Sequence, residues 1–424
     1  MRIVALIAGL ALVASVAQAG EVGRFRPATP DYVVLEVPAS ASNDPIALLE
    51  QRRASEPENE AIAAGLAELY LARARTEREP RYFARAEALV RPWASLERAR
   101  ASTLRVQADI LQNRHDFASA VKLLDRAIAL DPRDAGAKLM RASVKMVGGR
   151  AAEARGDCAG VLASGESTSG TICLAQVLGA TGGLARADAL LKALVARDQL
   201  TLSATSGAPL AAATRFAQPV AGRAQPPATS ASAAGAQAAT PAGQVRAWAL
   251  GLLADFSDRA GDSRAAETHL RAALVADPQN EGIRSALSDL LLTRGAYREA
   301  LTLVDLPAPS IGLLARRARA QRQLRDPALE KTRSQIQDLV TLASRRGDPP
   351  HLREEALVAF DVDQDAAHAL ELAKANFGTQ RETIDIRLLV RAARACGDGT
   401  TLRSVTQWIR ETGYEDRQLP GAAT

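Results

Sequence analysis

Residues 101–132 read ASTLRVQADILQNRHDFASAVKLLDRAIALDP, and residues 247–278 return to the same pattern as AWALGLLADFSDRAGDSRAAETHLRAALVADP. Aligned on the closing Asp-Pro, the copies agree at their small positions: Ala108 with Ala254, Ala120 with Ala266, Ala127 with Ala273. Large residues keep step as well, Leu104 with Leu250 and Leu124 with Leu270. Small residues at fixed intervals have a mechanical reason: where two helices cross, Ala, Gly or Ser lets the backbones approach to about 8–10 Å. Composition points the same way. The chain is 47% apolar but only 4% aromatic, a mix that favours closely packed helices over strands, which prefer aromatic and β-branched residues.

The pattern spreads beyond the two best copies. A second unit starts at Ala135, with Ala142 and Ala154 at the small sites and Gly148-Gly149 at the turn. A third starts at Thr168, with Ala175, Leu178, Gly183, Ala187 and Leu191 in phase. A further one starts at Glu281, with Leu287, Leu291, Gly295, Tyr297 and Ala300 in phase; Pro307 then shortens its second helix. This spacing resembles the tetratricopeptide repeat (TPR) family, whose unit is a helix–turn–helix of about 34 residues. The resemblance implies an all-α solenoid, because one such unit cannot bury its apolar face alone and must stack on neighbours around a concave surface.

The expected organisation is two TPR-like arrays, residues 44–199 and 245–413, separated by a flexible linker over residues 200–244. The linker is Ala, Ser, Thr, Gly and Pro with two charges, Arg215 and Arg223, too little apolar surface to offset its ordering entropy. The third and fourth unit starts, Thr168 and Ala247, lie 79 residues apart, which is not a whole number of repeats. Before the clear array, Asn43 or Asp44 can cap a helix over 45–54. A divergent hairpin then carries Ala67 and Tyr70 on one helix and Phe83, Ala86 and Val90 on the next. After it, hairpins are expected over 311–324 with 327–344, 351–360 with 365–375, and 382–396 with 400–412. Residues 414–424 read as a frayed tail.

Residues 1–19, MRIVALIAGLALVASVAQA, have the form of a secretory signal: Arg2, an apolar centre, and Ala17-Gln18-Ala19 as cleavage site. Residues 20–43 read as an irregular, Pro-rich arm. No later segment approaches the ~18 apolar residues of a membrane span, so stable membrane insertion after cleavage is not expected. The expected location is across the inner membrane, in the periplasm. Three cysteines are present, Cys158, Cys173 and Cys396. In the repeat, Cys158 and Cys173 fall on successive packed helices. There they can form a disulfide, closing a loop worth about 3 kcal/mol, or fill the seam as two thiols. Cys396 has no assigned role.

Residues that could carry chemistry are sparse. None of His115, His269, His351 and His368 has a second His four residues on, and no HExxH or CxxC occurs. GESTSG at 165–170 has the wrong spacing for a nucleophile elbow and joins helices. FDVDQD at 360–365 lacks the Gly and the Glu of a calcium loop and reads as a helix N-cap cluster. No phosphate-binding loop follows a strand. The net charge of +5 is distributed along the chain without a basic run interleaved with aromatics, so nucleic acid is not an expected partner. No cofactor or metal is expected.

What remains is surface. In the family, ligands meet the first helix of each unit at its second, fifth, ninth, twelfth and thirteenth positions. In the unit at Ala101 these are Ser102, Arg105, Asp109, Gln112 and Asn113; in the unit at Ala247 they are Trp248, Gly251, Asp255, Asp258 and Arg259. The unit at Glu281 adds Ser285 and Asp289. Aromatic and Arg residues dominate interface energetics, so Trp248, Arg105 and Arg259 are the expected anchors. The resemblance thus implies a non-enzymatic, exported scaffold that holds a protein or peptide in its groove and helps assemble a cell-envelope complex. The alternative is an enzyme or enzyme subunit with a site in the divergent C-terminal third, near Glu354, Glu355, His351 or His368. The oligomeric state cannot be read from the chain.

Overall fold

The computed structural model describes residues 44–77, 80–93, 98–196 and 240–419, and all regular structure among them is helical. The signal-like segment, the N-terminal arm and most of the expected linker lie outside the described residues. The first run of helices is α1 (Pro45–Ser55), α2 (Glu60–Glu77), α3 (Pro80–Val90), α4 (Ala101–Asn113), α5 (Phe117–Leu130), α6 (Ala135–Val147), α7 (Arg155–Ala163), α8 (Ser167–Ala180) and α9 (Leu184–Ala196). The second begins with α10 (Pro241–Arg259), α11 (Ser263–Ala276), α12 (Glu281–Thr293) and α13 (Tyr297–Val304). It continues through α14 (Ile311–Leu324), α15 (Leu329–Arg346), α16 (Leu352–Val358), α17 (Ala366–Phe377), α18 (Thr383–Ala395) and α19 (Gly399–Thr412).

The repeat rests on three local devices. Asp116 and Asp262, at corresponding positions, cap α5 and α11 by accepting from the backbone N–H of Ser119 and Ala265. One residue earlier the backbone turns left-handed in every clear unit. Gly149, Gly182, Gly261 and Gly295 take positive φ there, and His115 does so in the first unit, where a Cβ is tolerated only with strain. Finally, Ala108, Ala120, Ala254 and Ala266 are all 2% exposed or less, so the small positions face neighbouring helices as the spacing predicts. The fold is a TPR-like stack of helical hairpins.

Three expectations change. The segment 200–244 does not divide the stack. Val245, Trp248 and Leu253 of α10 share one core with Ile172 and Cys173 of α8 and Leu191 of α9. At the α8–α10 crossing a Cβ on Gly179 would lie 2.5 Å from Phe256, so glycine is required for that approach. The 79-residue spacing exceeds one repeat by 45 residues, the length of 200–244; the stretch is an insertion between consecutive units of one spine. Its C-terminal border also moves, because Thr240 accepts from Gly243 and Pro241 starts α10, which makes 241–244 helical.

The third change is at the C-terminus, where residues 414–419 are not frayed. Tyr414, Asp416 and Leu419 are buried. The N–H of Arg417 donates to the carbonyl of Arg259 (2.9 Å), and the N–H of Leu184 donates to Oε1 of Glu415 (3.0 Å). Nearby, the N–H of Arg381 reaches the carbonyl of Val147 (2.8 Å), and Gln380 meets the ring of His115 (3.3 Å). The last third therefore folds across the hollow of the first.

Candidate functional site

Where the C-terminal third crosses the hollow, a cavity of about 770 Å³ remains, within the size range of binding pockets. One wall is the concave face of α10 and α12, including Trp248, Gly251, Asp255, Ser285 and Asp289. The opposite wall is Arg353 and Glu354 of α16, the α17–α18 turn with Arg381, and Arg387 and Arg391 of α18. Met146, Val147 and Gln176 of α6 and α8 also line it.

Nearly every charge on these walls has a partner. Arg316 reaches Asp289 at 2.5 Å. Arg387 spans Asp416 (2.8 Å) and Asp258, and these carboxylates outweigh burial to hold its pKa above the ordinary arginine value. Arg353 pairs with Asp385 (2.6 Å) and Glu382. Burial alone would pull Arg353 down, but Asp385 and Glu382 hold it well above its usual pKa. Burial raises the Glu382 carboxyl despite that guanidinium. Arg319 and Arg391 both face Asp361. Arg381 differs: it makes no ion pair with the described residues, its Nε donates to the carbonyl of Phe377 (3.0 Å), and its guanidinium lies 4.7 Å from the Phe377 ring. Burial pulls its pKa down with nothing to offset it.

The residues expected at the groove divide into two sets. Trp248, Asp255, Asp258, Arg259 and Asp289 line the cavity, but most are engaged within the protein. Asp255 holds Arg259 (3.2 Å) and accepts from Thr383 (2.6 Å). Asp258 takes Arg387 and Gln418. Arg259, expected as an accessible anchor, is only 2% exposed. It donates to the carbonyls of Glu415 (2.8 Å) and Gly179 and lies 4.1 Å from the Tyr414 ring. Trp248 is 6% exposed, and its indole N–H has no acceptor among the described residues.

Arg105, Asp109, Gln112 and Asn113 lie away from this cavity. Arg105 is held between Glu68 and Asp134 (2.8 Å), on the edge of a smaller cavity of about 510 Å³. Asp109 binds Arg75 (3.3 Å) and Asn113 (3.0 Å), and Gln112 Oε1 is buried without a donor among the described residues.

The acid–base candidates of the last third do not converge. Glu354 lines the cavity. Glu355 accepts from the backbone N–H of His351 (3.1 Å), and His368 sits on an exposed face beside Glu371. Asp365 of FDVDQD caps α17, accepting from the N–H of His368 (2.9 Å). Gly165 and Glu166 form the helix–helix turn, and Ser167–Gly170 are the first turn of α8. Among the described residues no three His, Cys, Asp or Glu side chains form a metal-holding group, and no helix is long and apolar enough to cross a membrane. Cys158 and Cys173 are joined by a disulfide between α7 and α8, their Cα atoms 5.4 Å apart, and Cys396 is an exposed free thiol.

Sequence reasoning missed Arg353, Arg381, Arg387 and Tyr414. They lie outside the repeat pattern, and the only available signal was the density of arginine on the last helices. No family model matches the chain, and no curated protein matches it in sequence. Among solved structures, the human IFIT1 dimer with PPP-AAAA is 12% identical over 86% of this chain and 77% of that one, with a TM-score of 0.45. The P58(IPK) TPR domain is 13% identical over 80% and 98%, at 0.24, and yeast Tom70 is 12% identical over 85% and 86%, at 0.26. All are likenesses of helical repeats, too distant to carry a ligand or an activity to this chain.

Proposed function

We propose that this protein is a non-enzymatic, exported scaffold that holds a segment of a partner protein, or a peptide, in the cavity between α10–α12 and α16–α18. The carrying observation is that cavity: it is walled by the groove positions of two repeat units and closed by the chain's own last third. Its aliphatic and polar lining suits a short length of polypeptide. Export is supported by the signal-like first nineteen residues and by the Cys158–Cys173 disulfide, since such bonds persist in oxidising compartments. In that setting the scaffold serves assembly of a cell-envelope complex.

A photo-reactive amino acid at Leu290, inside the cavity, tests this in cells. The expected result is a discrete adduct to one protein, absent when the probe stands at the 82% exposed Val275. Identical adducts from both positions, or none from Leu290 in folded protein, would overturn the reading.

A further inference from the structure

The C-terminal third touches one and the same place in four consecutive hairpins. That place is the left-handed residue of the turn: His115, Gly149, Gly182 and Gly261. Gln380 meets the ring of His115 (3.3 Å), and a Cβ on Gly149 would lie 3.3 Å from the Arg381 Cβ. A Cβ on Gly182 would lie 3.4 Å from the Gly413 carbonyl oxygen, and one on Gly261 3.7 Å from Cδ of Arg417. A seam thus runs along the row of turns. Two observations say that it can part. Among the described residues no apolar core spans it: Tyr414 and Leu419 are buried with Leu388, Val405 and Ile409 of α18 and α19, apart from the core through α8–α12. The groups that do cross it also have partners on their own side. Arg387 reaches Asp258 across the seam but holds Asp416 (2.8 Å) beside it. Arg259 reaches the Glu415 carbonyl but holds Asp255 (3.2 Å), and Tyr414 holds Thr383 (2.7 Å). Asp258 is partly exposed to water, and the Leu184 N–H is at the first residue of α9, where water can take a helix's open donors. Parting therefore strands no buried charge, the event that makes breaking such pairs expensive.

We propose that the arm formed by α16–α19 and residues 413–419 is a gate, which swings off the row of turns and opens the cavity along its side. Arg381, Tyr414 and Gln418 line the cavity, so their departure removes a wall. The pivot is the small core of Ile311, Ile336 and Val362, which joins the arm to α14 and α15. In a stack, small rotations between neighbouring units add up, so the arm leaves without any hairpin unfolding, and a polar interface of this kind permits such motion. A gate along the side admits the middle of a chain, with no free end to thread. This adds a way in to the scaffold reading, and its test needs no partner.

The test times the entry of a bulky reagent. Ser285 lines the cavity, is 7% exposed, and its hydroxyl has no partner among the described residues. Ser285→Cys is therefore a mild reporter, placed in the full-length chain with Cys396→Ser to remove the exposed free thiol. Its labelling by a maleimide bearing a long polyethylene glycol chain is followed by gel shift. Asp258→Ala with Glu415→Ala removes contacts across the seam and should speed labelling about tenfold, as for the loss of two hydrogen-bonded contacts. Hydrogen exchange should rise at 413–419 while α18 and α19 stay protected. Gly149→Cys with Arg381→Cys, whose Cβ atoms would lie about a disulfide's span apart, should on mild oxidation bring labelling close to zero, whereas Gly149→Ser with Arg381→Ser should not slow it. The disulfide arm decides the matter even if the Asp258/Glu415 variant melts early. Labelling unchanged by the disulfide, a disulfide that does not form in folded protein, or faster labelling only together with exchange throughout α18 and α19 would overturn the gate. The scaffold reading, tested by the Leu290 adduct, would still stand.

Discussion

Helices α4 and α10 occupy the same place in their repeat units and present the same five positions to the hollow, yet they use them differently. On α4, Arg105 is held by Glu68 of α2 and Asp134 at the start of α6, and Asp109 takes Arg75 of α2. These partners come from the neighbouring units, so the charges glue the spine along its length. On α10, Asp255 and Asp258 take Thr383, Arg387 and Gln418, and Arg259 reaches the carbonyl of Glu415. Those partners lie over a hundred residues downstream. The repeat fixes the backbone, and what lies opposite decides whether a position fastens or lines a cavity.

Arg259→Ala should give the largest effect. Removing it takes the donor from the carbonyls of Gly179 and Glu415 and the ion-pair partner from Asp255, which should together cost about 3–5 kcal/mol. Denaturant unfolding checks the loss, and hydrogen exchange should show residues 414–419 losing protection. Replacing both Cys158 and Cys173 by Ala should cost about 3 kcal/mol, seen as a lower melting temperature with 414–419 still protected. Arg105→Ala should cost about 1–2 kcal/mol, because Glu68 is partly exposed to water and Asp134 keeps its cap bond from the Ala137 N–H. Equal losses for Arg105→Ala and Arg259→Ala would erase the contrast between the helices.

His115 lies where the regions meet. Burial, then Arg353 and His351, lower its pKa from 6.5 to about 4, with Asp385 opposing. The folded state therefore keeps it neutral while the unfolded chain takes a proton below pH 6.5. The His115 contribution is present above that pH and falls toward pH 4, with a slope of at most ~1.4 kcal/mol per pH unit. His115→Asn, which tolerates the left-handed backbone, should flatten that part of the stability–pH curve. Glu87→Gln, breaking the exposed pair with Arg114, should change stability by less than ~1 kcal/mol.

The sequence disclosed the hairpins and their crossings because Ala108, Ala120, Ala254 and Ala266 obey a geometric rule that any stack must meet. It also indicated the early end of α13 at Pro307. It did not disclose that α9 and α10 pack together, since an insertion leaves the contact intact while shifting the register. Nor did it disclose the cavity's second wall. Arg381 and Tyr414 follow no period, and their placement depends on how the whole spine curls. Trp248 was singled out for its ring, but its burial depends on that same curl.

The fastening of residues 380–381 and 414–419 onto the α4–α5 turn, α6, α9 and α10 has a mechanical consequence. In a plain stack each unit touches only its neighbours, so tension applied at either end can peel it one hairpin at a time. Here a pull on α19 meets Arg259, Arg387 and the Leu184 amide before any hairpin opens. Under force the molecule should behave as a buckled strap, resisting until the buckle slips and then paying out several hairpins together.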